Sequence, residues 1–366
     1  MPPADGEPVS GVSPAGRADG DRRDDRAAAA RLLDRYPQHP LDEQLARASA
    51  FRVEVPGGTI RVYRFEPAPG ADGHATWPVL FVPGWGGVID GFYETLRAID
   101  PAVELVYVET REKRSSHVAR RASFSMRRMA GDVAAAARAA GLEDRRFVLA
   151  GSSFGGVVAV QALAAAAVAE AAGDDAAGDD AAGDDAGSRG AILRPAVTVL
   201  YDPMPRLWIP RWIMSFVAPL LPAWLLAPMR PALKRLVLAG MREPTQRRRT
   251  ERFIDDAVLW KWRAAALRLR RWDVLDVGPR AAGAAHVVNG STDRFHDGAI
   301  YPAIAGALPG GRLLRVPVPE SRREHLIGAV LSAYARSHSS ADGVSSDAHA
   351  VPPELRRFER PVSAGR

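Results

Sequence analysis

The 366-residue chain has no cysteine. That excludes disulfides, thiolate metal sites and a cysteine nucleophile, and it fits a reducing interior. Aromatic residues are few, at 7%, and most of the tryptophans crowd into one segment. Strong charge is missing too. The net +6 is mild, basic residues are scattered among acidic ones, and no recognised nucleic-acid module is present, so no nucleic-acid partner is expected. No basic-then-apolar leader opens the chain, which makes export by that route an unexpected fate and a cytoplasmic location the expected one.

What is there is enough for one large domain with an insertion. Residues 1–26 hold almost no large apolar side chain and are expected to be a disordered leader. A short helix is predicted from Ala27 to Tyr36, stopped by Pro37. Two alternating runs, Phe51–Val55 and Thr59–Phe65, flank Pro56-Gly57-Gly58 and predict an edge hairpin. From about His338 to Arg366 the composition is again polar and Pro-containing, and a second disordered segment is expected there.

Between these ends, short apolar runs alternate with helical patterns. Strands are predicted at Pro78–Val82, Val103–Val108, Phe147–Ala150, Ala196–Tyr201, His286–Asn289 and Arg312–Val316, with a helix from about Ser125 to Ala140. This order implies an α/β fold whose mostly parallel sheet is covered by helices on both faces. Ligands bind beyond the carboxyl ends of such strands. The Gly-Asp-Asp-Ala-Ala repeats over 173–187 predict a flexible low-complexity loop. They lack the ligand spacing and terminal Glu of a calcium loop, so no metal is expected there.

The most informative stretch is Arg146–Gly156. Its strand breaks at Gly151-Ser152-Ser153-Phe154-Gly155 and restarts as an Ala/Val-rich helix. A strand that turns into a helix within a few residues strains the middle residue, and side chains two positions either side would collide, so glycine is required at both. The turn presents Ser153 at the sheet's carboxyl edge, facing the positive amino end of the next helix. Upstream, Val82-Pro83-Gly84-Trp85-Gly86-Gly87 is a turn whose backbone N–H groups could approach a developing oxyanion. It lacks the lysine of a nucleotide loop and the spacing of a dinucleotide fingerprint. Downstream, Gly290-Ser291-Thr292-Asp293 puts a carboxylate past one strand, and Glu324-His325 follows the last, ahead of a helix predicted from Leu326 to Ala335.

Those motifs resemble the α/β-hydrolase superfamily over roughly residues 48–337. The resemblance implies that Ser153 is a nucleophile, His325 its general base and Asp293 the orienting acid, with Asp202 as an alternative acid. It implies an oxyanion hole from the backbone N–H groups of Trp85 and Phe154, and no cofactor. Many relatives have His-Gly where this chain has Pro83-Gly84. The expected chemistry is hydrolysis of carboxylic esters or thioesters through an acyl-enzyme. The expected partner is thus a small-molecule ester or thioester; acyl transfer by the same triad and non-catalytic binding are the alternatives.

Insertions between the sixth and seventh strands form a lid in hydrolases of this type. Here residues 203–280 fill that place, between core segments 27–202 and 281–337. They hold six of the eight tryptophans, and sixteen Lys/Arg against six Asp/Glu. An apolar run there is long enough to suggest a membrane span, but Pro210, Arg211, Pro219, Pro222, Pro228 and Arg230 interrupt it. Ile254, Val258, Trp262, Ala265, Leu269 and Trp272 recur at helical spacing. A basic, Trp-rich helical lid suits peripheral contact with an anionic membrane or lipid-like acyl groups. The charged segment Glu109–His117 is expected to be a solvated loop past a strand end that could also meet the polar part of a substrate.

Overall fold

The computed structural model describes residues 14–69, 76–172, 193–206, 219–220, 222–241, 243–290, 298–337 and 350–362. In chain order the elements begin with α1 (Pro14–Arg35), α2 (Leu41–Ala46), the hairpin β1 (Ala48–Val55) and β2 (Gly58–Phe65), β3 (Val79–Val82) and α3 (Tyr93–Arg97). There follow β4 (Leu105–Glu109), β5 (His117–Val118), α4 (Met126–Ala139), β6 (Val148–Ser152), α5 (Phe154–Ala172) and β7 (Val197–Tyr201). Four helices come next: α6 (Ala223–Leu238), α7 (Pro244–Asp255), α8 (Leu259–Leu269) and α9 (Val274–Val277). The chain then forms β8 (Ala285–Asn289), α10 (Tyr301–Ala307), β9 (Arg312–Arg315), α11 (Arg323–Ser337) and β10 (Glu359–Arg360).

The strands form one sheet in the order β1-β2-β4-β3-β6-β7-β8-β9-β10, with the short β5 paired to β2. The six strands from β4 to β9 run parallel, and antiparallel strands close both edges. Alternation along the strands builds two cores. Leu80 and Val82 of β3 face α4 and α5, whereas Val79 and Phe81 face α1, α3 and α11. Burial on both faces is why these strands are almost wholly apolar in sequence. Among the described residues α5 alone is long and apolar enough to cross a membrane, and the majority of that apolar stretch is buried.

The helical segment expected between the sixth and seventh strands falls between β7 and β8, because the two-residue β5 adds one to the count. Two expectations for the ends are corrected. Residues 14–26, expected to be disordered, belong to α1. Its apolar end (Ala28, Ala29, Leu32, Leu33) is buried in the core beside α11, and Asp25 pairs with Arg357 and Arg360. Residues 350–362 are ordered as well: Leu355 and Phe358 are fully buried, and β10 pairs with β9. The 173–187 loop, and residues 1–13, 338–349 and 363–366, lie outside the described residues.

Candidate active site

Ser153 stands between β6 and α5 with φ at +51°. For a residue with a side chain that backbone costs about 1–3 kcal/mol and persists only where the surroundings impose it. They do so by close approach. A Cβ on Gly155 would lie 1.9 Å from the Val82 carbonyl oxygen, and one on Gly151 would lie 2.6 Å from the Gly155 backbone. The Ser153 N–H donates to the Tyr201 carbonyl at 2.9 Å, and the Ser153 carbonyl accepts from Gly156 and Met204. The elbow is therefore welded to the ends of β3 and β7.

The Gly84–Gly87 turn leans over it. Ser152 O and Ser153 Cβ are each 3.6 Å from where a Gly84 Cβ would sit. Trp85 stacks edge-on against Phe154, the first residue of α5, with centroids 4.8 Å apart. Among the described residues, neither the Trp85 nor the Phe154 backbone N–H has a hydrogen-bond acceptor.

The remaining expected residues are placed differently. Asp293 lies outside the described residues. Asp202, the alternative acid, is fully buried just past β7 with φ at +42°. Its carboxylate accepts from Asn289 Nδ2 at 2.7 Å and pairs with Arg323 Nε at 3.1 Å. Burial and the Asp202 charge push the adjacent Tyr201 phenol well up.

His325, expected as the general base, is bonded to other groups in this structure. The helix expected to begin at Leu326 begins at Arg323, so His325 sits in its first turn, and the imidazole is turned toward α1. Nε2 donates to the Tyr36 carbonyl at 2.7 Å, and Nδ1 faces Arg322 at 3.4 Å. Both nitrogens are engaged by groups other than Ser153. It is Arg323 that reaches the strand ends.

Glu109–Ser116 is a correction. Instead of a solvated loop, Glu109, Thr110, Arg111, Glu112 and Lys113 are fully buried. Arg111 makes a bidentate pair with Asp132 of α4. Lys113 Nζ donates to the Gly84 carbonyl at 2.9 Å and to Glu112 at 2.8 Å. Glu109 accepts from the Ile89 N–H at 2.7 Å, and burial raises its pKa. The sequence signal was present in the run's position at a strand end, but its partners are distant in the chain.

Helices α7 and α8 sit on the turn. Trp262 packs on Trp85 with centroids 5.9 Å apart, and Phe253 stacks on Phe92 at 6.3 Å. A Cβ on Gly86, whose φ is +65°, would lie 2.2 Å from the Trp262 ring. Lys261 donates to the carbonyls of Lys113 and Ser116, and burial lowers its pKa to about 8. Arg249 pairs with Glu324. Among the described residues no group of three or more carboxylates and imidazoles could hold a metal ion.

No protein-family model matches the chain. No curated protein matches it either. Solved structures do. An esterase from Exiguobacterium antarcticum superposes with a TM-score of 0.57 at 15% identity, covering 77% of this chain and 97% of that one. The enol-lactonase from Burkholderia xenovorans LB400 gives 0.54 at 15% identity, over 77% and 98% of the two chains. A thermophilic esterase from Thermogutta terrifontis gives 0.52 at 19% identity, over 78% and 96%. With the strand order, the strained serine and the glycine contacts already described, these superpositions identify the chain's architecture as the α/β-hydrolase fold.

Proposed function

We propose that the protein is a serine hydrolase that cleaves carboxylic esters or thioesters carrying an apolar or lipid-like acyl group. The observation that carries this is Ser153 at φ +51° with the unengaged N–H groups of Trp85 and Phe154 beside it. A serine hydroxyl in that position attacks the acyl carbon, while the two N–H groups take the negative charge that grows on the carbonyl oxygen. The alcohol or thiol departs with a proton, leaving an acyl group on Ser153. Water then releases the acid.

A serine needs a base to do this at neutral pH. Asp293 remains the acid of this reading by its place in the sequence past β8. The imidazole closest to it in the chain is His296, and His325 is held by Tyr36. Comparing His296→Ala with His325→Ala decides which imidazole serves Ser153. The test of the whole reading is turnover of nitrophenyl esters and acyl thioesters of graded chain length. Ser153→Ala is expected to lower kcat by about 10⁴- to 10⁶-fold with the fold intact. No wild-type turnover of any of them, or full activity in the variant, would overturn it.

A second reading, a non-catalytic binding protein, is favoured by the placement of Asp202 and His325, each engaged by groups other than Ser153. Labelling by a serine-directed phosphonate separates the two, since a degenerate site does not react. An acyltransferase would share the acyl-enzyme and differ in transferring to an added alcohol.

Residues 203–280 act in this reading as a lid over the acyl site and as a peripheral contact with anionic membrane. Supporting it, Leu220 and Trp224 are 83% and 74% exposed, and α6, which carries Trp224, also carries Arg230, Lys234 and Arg235. Binding to anionic liposomes that weakens with salt is expected. No sedimentation with any liposome would remove the membrane contact and leave the hydrolase.

A further inference from the structure

The loop under the oxyanion turn carries an ammonium that the reaction outlined above does not use. Lys113 is fully buried. Burying a charge is costly unless it is paired and hydrogen-bonded, and a turn could be braced by a neutral donor instead. Here Glu112 Oε1 neutralises the charge at 2.8 Å while also accepting from Thr110. The other contact goes to one backbone oxygen, that of Gly84, at 2.9 Å. That carbonyl belongs to the same peptide group as the Trp85 N–H.

An amide is a single conjugated dipole. A cation on its carbonyl oxygen draws electron density from nitrogen and makes the N–H a stronger donor, the same polarisation that strengthens hydrogen bonds in chains. We infer that Lys113 is a positioning residue for the oxyanion hole, polarising the Gly84–Trp85 peptide and fixing its N–H toward the oxygen that becomes charged above Ser153. This rests on the hydrolase reading of Ser153.

The surroundings fit that role. The Lys113 backbone is itself fixed, because Lys261 of α8 donates to its carbonyl at 2.8 Å. Two residues past the turn, the Ile89 N–H donates to Glu109, so the segment that carries the turn is held on both sides. Above, Trp262 fills the space over Gly86 and packs on Trp85. A donor that does not have to reorganise as charge develops is what such catalysis requires.

The chain contains only one Gly-Trp pair, Gly84-Trp85. Protein labelled with carbonyl-¹³C glycine and ¹⁵N tryptophan therefore gives a single peak that reports on this peptide in an amide–carbonyl correlation spectrum. The variant is Lys113→Met combined with Glu112→Gln, so that no unpaired charge is left buried. The Gly84 carbonyl carbon is expected to move upfield and the Trp85 amide proton with it. Phosphonylation of Ser153 at saturating fluorophosphonate is expected to slow about tenfold, and kcat with a nitrophenyl ester to fall equally with KM unchanged, as for an interaction made in the transition state. An unmoved peak, or unchanged kcat and phosphonylation beside a lowered melting temperature, would make Lys113 merely structural and overturn the inference. Wild-type protein that does not label at Ser153 would overturn the hydrolase reading and this inference with it.

Discussion

At the scale of single residues, the site is defined by what neighbouring atoms forbid. Gly155 has no room for a methyl group, since the Val82 oxygen would be 1.9 Å away. Gly155→Ala is expected to displace α5 from β3 and to destabilise the fold by about 1–3 kcal/mol or more, read from urea unfolding. His325 is the opposite case, a polar residue whose apparent purpose changed with its backbone. Its sequence position after the last strand suggested a base. The helix starts three residues earlier than its apolar pattern indicates, and this swings the imidazole onto Tyr36. His325→Ala is therefore expected to lower stability by about 1 kcal/mol, the worth of one hydrogen bond, while ester turnover persists. Loss of turnover with unchanged stability would restore it as the base.

At the scale of elements, the β4 end and the helices α7 and α8 form the support beneath and above the turn. Arg111 and Asp132 are both fully buried. Removing one partner strands a charge, so Arg111→Met is expected to cost about 3–5 kcal/mol, and Arg111→Met with Asp132→Leu is expected to recover much of it. Urea unfolding of the two variants checks this. The strands, the hairpin and the elbow were legible in sequence because each is specified by residues adjacent in the chain: apolar runs of four to six, Pro56-Gly57-Gly58, and glycines flanking Ser153. The buried loop was not. Its five consecutive polar residues look solvated until Asp132, Gly84 and Lys261, each at least nineteen residues away, are brought to them by the sheet. The same physics hid β10, which pairs with the distant β9, and the ordered part of α1, whose Asp25 pairs with Arg357 and Arg360.

At the scale of the whole molecule, the core contains phenols whose ionisation burial disfavours. Tyr107, Tyr201 and Tyr334 are fully buried, and burial raises each well above its ordinary pKa. A raised folded pKa means that the native state holds protons the unfolded chain releases. The stability so gained is complete below about pH 10 and is lost as pH climbs beyond it. Lys261 acts in the other direction: its folded pKa of about 8 lies below its unfolded value, so its cost is relieved between about pH 8 and 10.4. The melting temperature is expected to fall steeply only above about pH 10. A fall setting in well below that pH would show that other groups control alkaline unfolding.

In the reading proposed above, the hydroxyl oxygen of Ser153, on the strained turn between β6 and α5, is the reactive group. Its most direct measurement is mass spectrometry of the protein after treatment with a fluorophosphonate, followed by peptide mapping. One phosphonyl group per chain, on the peptide that contains Ser153 and absent from Ser153→Ala, is the predicted result. An unmodified wild-type chain, or a label carried by another residue, would contradict it.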